Sequence, residues 1–459
     1  MEIWDKANQF HIEGKFDEAD KLYDDLLTQN PENPGLLATY GTLCLQLNRI
    51  GLAVSMLNHA VDLMRRRNQK VPGDMMCNLG LAYKYSGQHE KAVKWMKTAI
   101  DLEPTPESLV VYGSMFVENG QAEKCIKINQ QALEQNEQLP LAHWNMACAM
   151  LELGQWDKAW DEYEYGFEAK SRVDRCLGDM PRWDGVSPGT VCVYGEQGIG
   201  DEIMFASMLP DITNTNPIIF ECHKRLKTLF EHSFPGLICH GTREDQAITW
   251  QDEFDYQISI ASLGKYYRRT ADSFPGMPYL KAESAPRGKK FRVGISWTGG
   301  MKAGRVAKRT VPLNWWSKIL KQDCEFVSLQ YTDCEAEISE TEQALGVDIQ
   351  QHPGAKDDDY YECAKLVMSC DLVISVCTSV VHLAGALGVP CWVMTPAFPA
   401  WRYQNRGPMP WYKSVRLYRQ PAHDVNAWIP VLDKVAEDLA GLLSKQEPKD
   451  EPKLMVAYG

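Results

Sequence analysis

The first third of the chain alternates apolar and polar positions at helical spacing, in blocks that recur. Gly14-Lys15-Phe16-Asp17-Glu18-Ala19 is echoed by Gly87-Gln88-His89-Glu90-Lys91-Ala92 and again by Gly154-Gln155-Trp156-Asp157-Lys158-Ala159. Arg49-Ile50-Gly51-Leu52-Ala53 and Gly120-Gln121-Ala122-Glu123-Lys124-Cys125 fall between them. The aligned small residues Ala19, Ala53, Ala92, Cys125 and Ala159 lie 34, 39, 33 and 34 residues apart. A further small residue precedes each by about one helix length: Ala7, Gly41, Gly80, Gly113 and Ala147. Two antiparallel helices cross closely only where small residues occupy the crossing, so the pattern predicts five helical hairpins. Tyr23, Leu57 and Met96 are placed to fill the hollows beside the crossings. Pro31 and Pro104 end second helices, because proline cannot continue a helix. The spacing of 39 predicts a short insertion around 65–74.

This spacing resembles that of tetratricopeptide (TPR) repeats. The resemblance implies a helical solenoid over 1–178, whose groove binds peptides or partner proteins. Arg65-Arg66-Arg67 reads as a solvated loop.

Beyond about residue 179 the period changes. Short apolar runs at 190–194, 217–222, 256–260, 292–296, 326–329, 372–374 and 391–394 alternate with helical stretches such as 201–209 and 223–232. Such alternation predicts parallel sheets. Pro286-Arg287-Gly288-Lys289-Lys290 divides the series into two Rossmann-like halves, 186–286 and 287–445. An amphipathic helix over 426–443 closes the second, and 446–459 is a polar tail. Ligands of such sheets bind at the carboxyl ends of the strands.

At 459 residues, the length suits about three domains. Residues 372–395 contain no charged side chain, which raises the question of a membrane span. Ser375, Thr378, Ser379, His382 and Pro390 argue instead for strand, helix, strand. A net charge of -13 disfavours general nucleic-acid binding, although a local basic groove is compatible with it. The 14 cysteines form no CxxC pair, and the N-terminus lacks a basic start followed by an apolar run. Both point to free thiols and a cytoplasmic location.

Three stretches carry chemistry. Gly195-Glu196-Gln197-Gly198-Ile199-Gly200-Asp201 joins a strand to a helix, where glycines allow close backbone approach and the helix start favours anions. Asp201 is a candidate base and equally a helix N-cap. Residues 297–310 follow a strand and hold Lys302, Arg305, Lys308 and Arg309 in a glycine-containing loop, suited to a diphosphate. Finally, Ser375 to Pro390 sets Thr378 and Ser379 at a second helix start, with His382 one turn on as a ligand or a satisfied core histidine. Asp357-Asp358-Asp359 precedes a helical stretch and reads as capping, so no metal site is assigned.

As an ordered set these pieces resemble the bacterial TPR proteins fused to a heptosyltransferase-like glycosyltransferase domain. The resemblance rests on Trp160-Asp161-Glu162-Tyr163-Glu164, the Gly-Glu-Gln-Gly-Ile-Gly-Asp turn, Val293-Gly294-Ile295-Ser296-Trp297 and Val327-Ser328-Leu329-Gln330. Thr378-Ser379 with His382 through Gly388, Trp401-Arg402 and Pro410-Trp411-Tyr412 complete it. It implies a GT-B fold, an acceptor side in the first half and a nucleotide-sugar donor side in the second. It implies inversion without a metal or other cofactor, with Asp201 as base. Donor-side positions are Gly198, Gly200, Trp297, Lys302, Arg305, Lys308, Arg309, Gln330, Thr378, Ser379 and His382. The chain departs at Cys377, where the resembling sequences usually carry Asp. The five repeats shift the expected acceptor from a glycan toward a polypeptide held in the TPR groove. Two other expectations are a catalytically silent TPR scaffold that retains the fold, and a transferase acting on DNA bases.

Overall fold

The computed structural model describes residues 3–117, 119–175, 177–245, 247–299 and 309–445. The chain divides into two compact units between Ala149 and Met150.

The first unit is built of helical hairpins. Ile3–Ile12 pairs with Phe16–Gln29, Pro34–Gln46 with Ile50–Arg66, Gly73–Tyr85 with His89–Leu102, and Pro106–Val117 with Ala122–Gln135. The small residues do what their spacing predicts. A Cβ on Gly41 would lie 2.9 Å from Leu57 Cγ, and one on Gly80 would lie 2.7 Å from Met96 Cγ. A larger residue at either place would have to displace Leu57 or Met96. Phe16–Gln29 and His89–Leu102 both end before the prolines at 31 and 104. The extra residues behind the spacing of 39 are largely absorbed by lengthening a helix: Ile50–Arg66 has 17 residues where Phe16–Gln29 has 14. Arg65 and Arg66 therefore sit in a last helical turn, where cations complement the helix dipole.

The second unit holds the final repeat helix, Trp156–Tyr163, and two parallel sheets. Trp160 of that helix is 1% exposed and donates to Arg268 O at 2.8 Å. The strands are β1 (Val191–Tyr194), β2 (Ile218–Glu221), β3 (Ile238–His240), β4 (Tyr256–Ser259), β5 (Arg292–Ser296), β6 (Glu325–Ser328), β7 (Ile349–Gln351), β8 (Leu372–Val376), β9 (Cys391–Thr395) and β10 (Val415–Arg419). Their order is β3-β2-β1-β4 in one sheet and β10-β9-β8-β5-β6-β7 in the other, with every pairing parallel. Central strands β1, β2, β5 and β8 are buried along their whole length, as unbroken apolar runs demand. The charge-free stretch 372–395 forms β8, the helix Ser379–Leu387 and β9. Among the described residues no helix is long and apolar enough to cross a membrane. Asp359 caps the helix Tyr360–Met368 by accepting from Tyr361 N.

Candidate functional site

Two strand-to-helix turns, one from each sheet, meet in the second unit. The first leaves β1 at Gly195 and enters the helix Ile199–Phe205. Buried charge supports it from below. The Glu202 carboxylate is fully buried; it lies 2.9 Å from Arg243 Nε and accepts from His223 N at 2.8 Å. Burial pushes its carboxyl up to about 7, against the pull of Arg243. A Cβ on Gly195 would collide with this carboxylate, so the turn requires glycine there. Arg243 also donates to Gln197 O at 3.0 Å, fixing a residue at φ +62. The neighbouring Glu196 pairs with Arg172 at 2.6 Å, and both side chains are fully buried. Arg172 further donates to Ser262 Oγ at 2.8 Å and lies over the Phe167 ring at 3.9 Å.

Asp201 stands one turn into this helix. It is the third residue of the helix and not its N-cap, which is Gly198, and it accepts weakly from Gly198 N at 3.4 Å. Its second oxygen pairs with Arg402, and both side chains are less than one-fifth exposed.

The second turn leaves β8 at Cys377 and enters the helix Ser379–Leu387. Thr378 occupies the N-cap without capping through its side chain; its hydroxyl lies 3.1 Å from Ser375 Oγ instead. Ser379 Oγ accepts from the Tyr360 hydroxyl at 2.8 Å. Among the described residues the first amides of this helix therefore receive no cap from the Thr378 side chain. Burial pushes the Cys377 thiol up to about 11, although Arg309, Arg402 and Arg419 act in the opposite sense.

The two helices touch through Gly200. A Cβ there would lie 3.1 Å from His382 Cδ2 and 3.2 Å from Ser379 Cα. Gly299, at the end of the segment after β5, is pressed onto the same place; its Cβ would lie 2.6 Å from Thr378 Cγ2.

Gly198, Gly200, Asp201, Thr378, Ser379 and His382 are thus brought together. His382 is 4% exposed, with Nδ1 at 3.3 Å from the Tyr412 hydroxyl and Nε2 at 3.5 Å from that of Tyr403. Burial, reinforced by Arg402 and Arg309, holds its pKa well below the ordinary histidine range, so it is neutral. Both ring nitrogens therefore lie within reach of tyrosine hydroxyls. Trp297 and Gln330 lie beneath the surface. Trp297 is fully buried and donates to Glu337 at 2.8 Å. Gln330 is 1% exposed and donates to Thr298 O at 3.0 Å while accepting from Ser296 Oγ at 3.1 Å. It fixes the backbone that leads into the cationic segment, and Thr298 and Thr310 face each other at 2.7 Å across its ends. Arg309 is half-buried, with no hydrogen-bond or ion-pair partner among the described residues. Lys302, Arg305 and Lys308 lie outside the described residues.

The sequence pattern assigned no role to Arg172, Arg243 or Glu202, and it noted Arg402 only within the resembling Trp401-Arg402 pair. A charged residue carries no local mark of the partner that folding gives it. Among the described residues no group of three His, Cys, Asp or Glu side chains is placed to hold a metal ion.

Residues 10–68 and 73–106 match tetratricopeptide repeat family models. The N-terminal region is therefore a tetratricopeptide repeat array, a protein-interaction scaffold. The chain is 28% identical to Protein FlbA of Caulobacter vibrioides, an alignment covering 93% of this chain and 82% of that protein. It is 25% identical to the BBSome complex member BBS4 of Bos taurus over 35% of this chain and 30% of that one. Among solved structures, that of MamA shares 19% identity and covers 37% of this chain and 96% of its own, with a TM-score of 0.32.

Proposed function

We propose that the α/β unit is an inverting glycosyltransferase of the GT-B type, with two Rossmann-like halves (186–286 and 287–445). It moves a sugar from a nucleotide-sugar donor to a hydroxyl acceptor, without requiring a metal. The acceptor is a polypeptide recruited by the tetratricopeptide repeats of the same chain. The observation that carries this reading is the convergence of two strand-to-helix turns from separate parallel sheets. One presents Asp201, and the other presents the helix start at Thr378 and Ser379.

In this reading Asp201 removes the proton from an acceptor hydroxyl. The acceptor oxygen forms a bond to the anomeric carbon as the bond from that carbon to the phosphate oxygen breaks. The electron pair leaves with the nucleotide. The amides at Thr378 and Ser379, with Arg309 and the cations at 302, 305 and 308, stabilise the leaving phosphates. Arg402 holds Asp201 oriented until the acceptor arrives. His382, neutral between two tyrosines, keeps the second helix in place and does not touch the donor.

The test is thermal stabilisation by a panel of nucleoside diphosphates and nucleotide sugars. A ligand at 100-fold excess over its Kd adds about 2.7 kcal/mol, so a selective rise in Tm is expected for one base. Asp201→Asn should keep that rise and lose transfer. A flat response to every nucleotide at millimolar concentration would rule out the transferase and leave the silent scaffold.

A further inference from the structure

Between β9 and β10 the chain runs as a strap, residues 401–407, beside Asp201. Its side chains point to different anchors. Trp401 packs among the rings of Trp160, Tyr163 and Phe205, with centroids 6.0 to 6.3 Å away. Arg402 pairs with Asp201. Tyr403 faces His382. Asn405 donates to Glu152, the last residue of the helix Pro140–Glu152.

Such a strap does not hold itself. Its regular structure is a single 3-10 turn, Trp401–Tyr403, and Gln404 has φ +51, a conformation side-chain-bearing residues seldom adopt. The missing support comes from Arg419 at the end of β10. Its guanidinium donates to Gln404 O at 2.7 Å, Tyr403 O at 3.0 Å and Gly407 O at 2.9 Å. All three acceptors are main-chain carbonyls of the strap. A planar fork of N–H groups reaches several carbonyls at once, which a lysine ammonium on its single stem does not reproduce. Two buried strap atoms, Arg402 Nε and Asn405 Oδ1, have no partner among the described residues.

We propose that Arg419 is a positioning residue for the Asp201 site: it fixes the strap carbonyls so that Arg402 meets Asp201, and Asn405 on Glu152 anchors the strap's far end. The purpose of the ion pair rests on the glycosyltransferase reading; the mechanics of the strap do not.

The test is hydrogen exchange on the full chain in wild type, Arg419→Gln and Arg419→Lys. Both variants should accelerate exchange about tenfold in 401–407 and also in 198–203, with the helices of the first unit unchanged. Unchanged exchange in β1 and β2 shows that the variants remain folded. Acceleration of 401–407 alone would show that the strap does not act on Asp201 and would overturn the proposal. So would unaltered exchange in both segments, or full restoration by Arg419→Lys, which would make charge rather than the fork the cause. A second arm uses the sugar nucleotide whose base stabilises the protein. Arg419→Gln should lower kcat by about 30-fold with KM within about threefold. A rise in KM alone would make Arg419 a donor contact instead. A wild type without turnover would remove the glycosyltransferase reading, and the exchange result would then decide the strap by itself.

Discussion

The two turns that meet at Gly200 are built on opposite principles. The 195–201 turn rests on buried ionisable groups: Arg172 paired with Glu196, and Arg243 beside Glu202, whose carboxyl holds its proton to about 7. The 377–382 turn rests on neutral groups: Thr378 with Ser375, Ser379 with Tyr360, and His382 between Tyr403 and Tyr412. Buried ions fix geometry strictly, because an unpaired charge in the interior is costly. Neutral hydroxyl and imidazole contacts cost less to break and do not add charge beside the helix start proposed to receive phosphate. The turn that presents an acid is thus stiffened by charge, and the turn proposed to receive phosphate is stiffened without it.

Removing one ion from the first turn should have the largest effect. Arg172→Met leaves Glu196 buried and unpaired, and should cost about 3–5 kcal/mol, read as a fall in Tm or denaturant midpoint. A loss below about 1 kcal/mol would show that the network tolerates the change and would erase the contrast with the second turn. The next effect is pH dependence. Unfolded Glu202 loses its proton near 4.5, whereas the folded group holds it to about 7. Between those values the folded state binds more protons, so this group's contribution to stability falls as pH rises and is level above about 7. The total fall is on the order of 3 kcal/mol, and Glu202→Gln should remove it. Matching wild-type and Glu202→Gln stability profiles between pH 4.5 and 7 would refute the assignment. Smallest is the neutral side. Ser379→Ala deprives the buried Tyr360 hydroxyl of its acceptor and should cost about 1–2 kcal/mol, with no change in the pH profile.

How much of this was legible in the sequence varied with the kind of signal. The repeat array was readable because one packing problem is solved several times. Gly41 against Leu57 and Gly80 against Met96 are the same crossing, so a single misreading would not hide the period. The central strands were readable as apolar runs. Strands β3, β7 and β10 were not, and each lies at a sheet edge with a half-exposed face. Edge strands need polar outer residues, which removes the run that marks a strand. In the site, the glycine-rich turn and the Thr378-Ser379 helix start stood out because backbone demands leave a local mark. Arg402 on Asp201 and Arg172 on Glu196 join residues far apart in the chain, and no local pattern announces such pairs.

The parallel sheets also bear on how the molecule comes into being. Hairpins of the first unit close between neighbouring helices, contacts that form early and quickly. The middle of the larger sheet pairs β5 with β8, which begin at residues 292 and 372. During synthesis the repeats can fold while that sheet waits for a strand not yet made. Through this interval the apolar face of β5 and the buried thiols of Cys324, Cys334 and Cys363 are without their final cover. The second unit, and not the repeats, is therefore where a growing chain has most need of protection.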